Sequence, residues 1–169
     1  GVLNGARHIQ LAGQIAYITA DAGLVVVDLN DPLHPRHVTT LPLNDARASA
    51  LQFRYLWVTD AEGLKLFDVT DMANPVPLPS ATVPLADARR IYLARTYAYV
   101  AAGHEGLAIL DIENPEKPGK PEYFTAGGKI SDSHAVKVGM TNASVYAYIA
   151  DGHNGLHILE LMAPNRSPD

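Results

Sequence analysis

"AYVAAGHEGLAILDIENPEKP", residues 98–118, decides the fold. It reads as a strand, a tight turn, a second strand and a proline-bounded loop, and nearly the same sentence occurs three more times: "AYITADAGLVVVDLNDPLHP" (16–35), "LWVTDAEGLKLFDVTDMANP" (56–75) and "AYIADGHNGLHILELMAP" (147–164). The anchors are Gly23, Gly63, Gly106 and Gly155, spaced by 40, 43 and 49 residues. A repeat of this period means stacked supersecondary units, because one such unit cannot cover its own apolar face. Around each anchor other positions keep step: an aromatic six or seven residues before it (Tyr17, Trp57, Tyr99, Tyr148), an acid five after it (Asp28, Asp68, Asp111, Glu160), and in the first three units a proline twelve after it (Pro35, Pro75, Pro118). The fourth unit slips, to Pro168.

The runs "AYIT", "LVVVD", "LWVT", "LKLFD", "AYVA" and "LAILD" are short, rich in β-branched and aromatic residues, and bounded by Gly, Asn, Asp and Pro, so each pair predicts a hairpin. The anchor glycine fits a turn position of positive φ. Upstream of each hairpin lies another strand, "ARHIQL" (6–11), "ARASAL" (46–51), "ARRIYL" (88–93) and "SHAVKV" (133–138); downstream, "RHVTTL" (36–41), "VPLPSATV" (76–83) and "PEYFTA" (121–126) supply a fourth. Four short antiparallel strands per unit of about 40 residues, with no helical periodicity, specify an all-β propeller of four-stranded blades; a β-sandwich would not need the register to recur. The blades fall at about 1–43, 44–85, 86–130 and 131–169 of a single propeller domain or segment. Blade four ends on "MAPNRSPD", a poor fourth strand, so the strands number 15 rather than 16. The chain therefore reads as an arc of a larger ring, closed by a second copy or by further sequence, with a complete four-bladed ring as the alternative.

The hairpins "GLVVVD", "GLKLFD", "GLAILD" and "GLHILE" resemble the LVIVD-repeat family of bacterial and archaeal propellers over almost the whole chain. The resemblance implies an exported module, extracellular, on the cell surface or periplasmic, that binds or scaffolds a protein partner, among them multihaem c-type cytochromes. The fourth unit departs from the pattern in Glu160 and in the insertion "MTNAS", which marks it as the atypical or terminal blade.

A second repeat precedes each innermost strand: "NGARH" (4–8), "NDARA" (44–48), "ADARR" (86–90) and "SDSHA" (131–135). It places Arg7, Arg47, Arg89 and His134 at equivalent positions, with Asp45, Asp87 and Asp132 two residues ahead of the last three. Innermost strands line the channel, so these side chains ring one mouth, on the face where the turns carrying Asp21, Glu62, His104 and His153 open. Each Arg either pairs with a neighbouring Asp and ties blades together, or offers its planar fork of donors to a carboxylate or phosphate. Interleaved charges of both signs suit orienting a protein partner better than trapping a free anion. This mouth is the expected interaction face.

Other chemistry finds little footing. The near-copies "GHEG" (103–106) and "GHNG" (152–155) make His104 and His153 weak candidates for a metal or external haem iron, joined by His134 in a metal-dependent enzyme, but a metal needs three or four supported ligands. His8, His34, His37 and His157 read as structural or exposed. The acids of "DLNDP" (28–32) and "DVTDM" (68–72) do not match an EF-hand loop and read as turn caps. No nucleophile motif or phosphate loop is present, and the Ser, Asp and His of "KISDSHAV" (129–136) alternate faces in a strand, so no catalytic residue and no cofactor is expected in this chain. "NAS" (142–144) is a glycosylation acceptor by pattern. The repeated aromatics read as blade-to-blade packing rather than a base-stacking or sugar-binding surface.

Composition agrees. The 169 residues are 47% hydrophobic and 18% charged, with net charge −5 and pI ≈ 5.7, which suits a globular core and gives no footing to nucleic acid or an anionic membrane. The absence of cysteine excludes disulfides, thiolate metal sites and covalent c-type haem within the chain. No apolar run reaches transmembrane length. Starting at Gly1 with no signal-like segment, the chain reads as processed or excised from a longer one.

Overall fold

In the computed structural model, which describes residues 1–142 and 144–161, sixteen strands form four antiparallel sheets. Blade one is β1 (His8–Ala12), β2 (Ile15–Ala20), β3 (Gly23–Asp28) and β4 (Arg36–Leu41) in sequential order. Blade two is β5 (Ala48–Gln52), β6 (Tyr55–Asp60), β7 (Gly63–Asp68), β8 (Val76–Pro77) and β9 (Val83–Pro84). Blade three is β10 (Ile91–Ala94), β11 (Tyr97–Ala101), β12 (Leu107–Asp111) and β13 (Glu122–Phe124). Blade four is β14 (Ser133–Met140), β15 (Val145–Asp151) and β16 (Gly155–Leu161). The tail "MAPNRSPD", with Pro164 and Pro168, and the middle residue of "NAS" lie outside the described residues.

One expectation needs correcting. The fourth strand of blade two is not continuous over 76–83: β8 and β9 each pair with β7 but are separated by the 3₁₀ turn Pro79–Ala81. The cause is proline, which cannot donate to the ladder; Pro77, Pro79 and Pro84 break "VPLPSATVP" into short edge pieces.

The hairpin turns follow the glycine rule. Gly23 and Gly63 have φ of +118° and +139°, and a side chain on either would drive into backbone, Leu41 and Leu43 in the first case, Val83 and Leu85 in the second. The shift of the aromatic from six to seven residues before the anchor is turn length. Ala20 pairs with Gly23 across two residues in blade one, whereas Asp151 pairs with Gly155 across three in blade four.

Period-two alternation then gives each sheet two apolar faces, and the core lies between blades. The forward face of blade one (Tyr17, Leu24, Val26) packs on Leu56, Val58 and Phe67 of blade two. Blade two in turn presents Trp57, Leu64 and Leu66 to Ala98, Val100, Ala108 and Leu110 of blade three. Blade three presents Tyr99 and Leu107 to Val136, Ala147 and Ile149 of blade four. Tyr17 and Trp57 are fully buried, and the Tyr17 hydroxyl donates to the Met72 carbonyl at 2.7 Å. On blade one the opposite face carries a separate buried cluster, Ala16, Ala20, Val25 and Val27. The fourth aromatic, Tyr148, faces forward where no described blade follows, and is 37% exposed.

This arrangement makes equivalent residues unequal. Trp57→Ala should cost about 3–5 kcal/mol, the cost of emptying a well-packed aromatic site, while Tyr148→Ala should cost less than about 1 kcal/mol. Urea unfolding of the two variants measures both.

Candidate functional site

The residues ahead of the innermost strands come together at one channel mouth. Each is set by its own blade: the backbone N–H of Arg7, Arg47 and Arg89 donates to the carbonyl of Thr19, Thr59 and Ala101, each at 2.8 Å, holding the arginine beside its own hairpin. Arg47 Nε donates to Asp45 at 2.9 Å, and Nη1 crosses to blade three, reaching Asp87 at 2.7 Å and the Ala88 carbonyl at 3.0 Å. Arg89 repeats the pattern one blade on: Nε to Asp87 at 3.0 Å, Nη1 to Asp132 at 2.8 Å and to the Ser133 carbonyl at 3.2 Å. The result is an alternating chain of charge, Arg7, Asp45, Arg47, Asp87, Arg89, Asp132, His134.

Both ends of that chain are irregular for a reason visible in sequence. Blade one has Gly5 where the others have Asp, so Arg7 turns to its own hairpin, donating to Asp21 at 2.7 Å, and reaches Asp45 only at 3.5 Å. Blade four has His134 in place of Arg. It sits in a β-bulge between Ser133 and Ala135 and meets Asp132 at 3.0 Å.

Electrostatics follow the pairing. Burial works to raise the Asp87 pKa, but Arg89 and then Arg47 outweigh it and hold the carboxyl below its ordinary value. Asp132 is lowered by its hydrogen bond to His134 and then by Arg89. Against the effect of burial, Asp87 and Asp132 hold the Arg89 guanidinium above its ordinary pKa. Behind Asp132 lies Asp151, whose carboxylate accepts four backbone N–H groups, from Ser131, Asp132, His153 and Asn154, at 2.7 to 2.9 Å. Burial opposes its charge, and those four donors still hold it well below the usual carboxylate range.

Two residues of the mouth are absent from the sequence expectations. The buried hydroxyl of Thr19 donates to the Arg47 carbonyl at 3.0 Å, and that of Thr59 to the Arg89 carbonyl at 2.6 Å, so each links its blade to the next behind the charged groups. Their signal was the shared Thr ending "AYIT" and "LWVT".

The histidine turns do not converge. His104 meets Glu105 at 3.1 Å and His153 meets Ser131 at 3.4 Å, each within its own blade. Among the described residues no group of three or more His, Asp or Glu side chains is placed to hold a metal ion. The loop acids cap turns: Asp28 accepts from the Asn30 N–H, Asp68 from Thr70 and Asp71 from Ala73.

The LVIVD-repeat profile matches residues 5–40, 86–123 and 144–164, more than half of the chain. The chain belongs to the LVIVD-repeat family. No curated protein matches it in sequence. In fold the LVIVD chain is similar to the computationally designed Ika4 protein, at 11% identity and TM-score 0.60 over 94% of this chain and 92% of that one. It is also similar to Bacteroides ovatus xyloglucan PUL GH43B (14%, TM-score 0.58) and to apo AztD of Citrobacter koseri (12%, TM-score 0.51), covering 96% and 90% of this chain. At these identities the likeness shows the propeller fold alone. The LVIVD chain spans nearly all of Ika4 but only 39% of GH43B and 46% of AztD. No helix among the described residues is long and apolar enough to cross a membrane.

A group whose folded pKa is depressed stabilises above its unfolded value, near 3.9 for Asp, and that stability is lost as pH falls through the folded value. Asp87, Asp132 and Asp151 all act in this sense. Thermal stability should therefore be flat from pH 7 to about 5 and fall below about pH 4. Arg89→Ala should lose about 2 kcal/mol at pH 7, by stranding two partly buried carboxylates, and its deficit should shrink toward pH 2 as those carboxylates protonate. Calorimetry of wild type and variant across that range checks both.

Proposed function

We propose that this chain is a non-catalytic propeller module that works by binding another protein, through the open forward face of blade four. The observation that carries this reading is the exposure of Tyr148, Leu156 and Ile158, at 37%, 64% and 61%. Their counterparts on blades one to three, such as Tyr17, Val26, Trp57 and Leu66, are sealed by the blade that follows. The occupant that fits is a further propeller blade presenting a small-residue face like Ala98 and Val100, carried by a second copy of the chain or by another protein. Continuity with the three existing interfaces supports that choice. The charged mouth, with Arg7, Arg47, Arg89, His134 and their acids, then serves first to fix the pitch of the array, and its exposed rim at Asp21, Asp45 and His134 borders the bound partner. An exported setting, and docking beside a multihaem cytochrome, are supported by the family resemblance.

The native mass and visible spectrum of the assembly taken from its source test the proposal. A particle well above 18.2 kDa that falls to a single chain on Ile158→Asp is expected, with haem colour if the partner is a cytochrome. A stable single-chain particle from the source would remove the reading, and a metal bound stoichiometrically at His104, His134 and His153 would replace it with an enzyme.

A further inference from the structure

One residue beyond the arginine repeat lies a second register: His8, Ala48, Arg90 and Ala135. Bulky basic side chains therefore stand on blades one and three, with alanines on the blades between. Arg90 reaches past blade two to blade one, where its Nη2 donates to the Arg7 carbonyl at 3.2 Å. His8 is half-buried, and its Nδ1 accepts the backbone N–H of Ser49 at 3.3 Å. That bond places the proton of the neutral imidazole on Nε2, a donor with no acceptor among the described residues. Lys137, on the innermost strand of blade four, holds its ammonium 5.1 Å from the centre of the Tyr92 ring. Burial, then the charge of Arg90, then that of Lys137 lower the His8 pKa. Tyr92, under the Lys137 ammonium, stands two residues along from Arg90, and the Arg7 carbonyl that Arg90 reaches is the peptide next to His8.

The carboxylates nearby are committed elsewhere. Asp21, Asp45, Asp87 and Asp132 are engaged by Arg7, Arg47, Arg89 and His134. Neither Arg90 nor Lys137 meets a carboxylate among the described residues. In a chain of net charge −5, this leaves positive charge from two blades at the channel, beside His8, with no carboxylate counter-ion among the described residues, an arrangement that an anion would neutralise.

We propose that this end of the channel binds a small oxyanion, a phosphate or carboxylate group, held between Arg90, Lys137 and the Nε2–H of His8. The guanidinium fork takes two oxygens, the ammonium supplies a point charge, and the imidazole supplies a directed donor. Ala48 and Ala135 keep the intervening positions free of bulk. The site is separate from the apolar face of blade four and stands whether or not a protein docks there.

Calorimetric titration with inorganic phosphate, and separately with malonate, at an ionic strength fixed by sodium chloride, tests the site. One anion per chain is expected, with binding weakened at least tenfold in Arg90→Gln and in the exposed Lys137→Met, and with the His8 NMR titration midpoint moving upward on saturation because the anion offsets both cations. Binding of phosphate alone identifies a phosphoryl ligand, and binding of malonate alone a carboxylate. Heat no larger than that of added chloride, or equal affinity in a folded Lys137→Met variant, overturns the proposal.

Discussion

Everything in this molecule depends on an aromatic side chain on one sheet being roofed by apolar residues of the next. Tyr17, Trp57 and Tyr99 each occupy the same hairpin register and each find Ala, Val, Leu or Ile on the facing blade. A single blade has no interior, so burial of these side chains, each among the largest apolar contributions a residue can make, exists only between neighbours. Stability is thus a property of junctions rather than of units, and among the described residues the four blades share three such junctions.

The ion chain at the mouth does a different job from the aromatic contacts. Dispersion and hydrophobic burial are nearly indifferent to small rotations of one sheet on another, whereas an arginine that must satisfy an acid on its own blade, an acid on the next and a carbonyl beyond it allows only one pitch. Arg47 and Arg89 meet all three requirements. Replacing Arg by the shorter His134, and Asp by Gly5, relaxes that demand at blades one and four.

Blade number, strand order and the positions of the outer hairpins were legible because residues at a fixed period carry them: Gly for positive φ, an aromatic for the junction, Asp for the turn that follows. The ring of Arg7, Arg47, Arg89 and His134 was legible for the same reason. That each Arg pairs with a neighbouring Asp and ties blades together was legible as one of two readings, but which acid it reaches was not, since a spacing of two identifies only the acid on the same blade, and nothing in Arg47 itself points to Asp87. The inner hairpin turns were also hidden. Gly13 announces positive φ in blade one, but Phe53 and Arg95 adopt it in blades two and three, with φ of 54° in both, and no residue type marks the position. The basic group of His8, Arg90 and Lys137 escaped notice because its members come from three blades and only two share a repeat position.

The hairpin glycines also act as a gauge. In blades one and two the outer strand runs so close to Gly23 and Gly63 that a one-residue slip would bring a side chain into a backbone carbonyl, so only one alignment of that strand is admissible. Gly106 repeats the arrangement in blade three, where a side chain would meet the Phe124 carbonyl, so the turn that opens each of these outer hairpins also sets the alignment of the strand that closes its sheet.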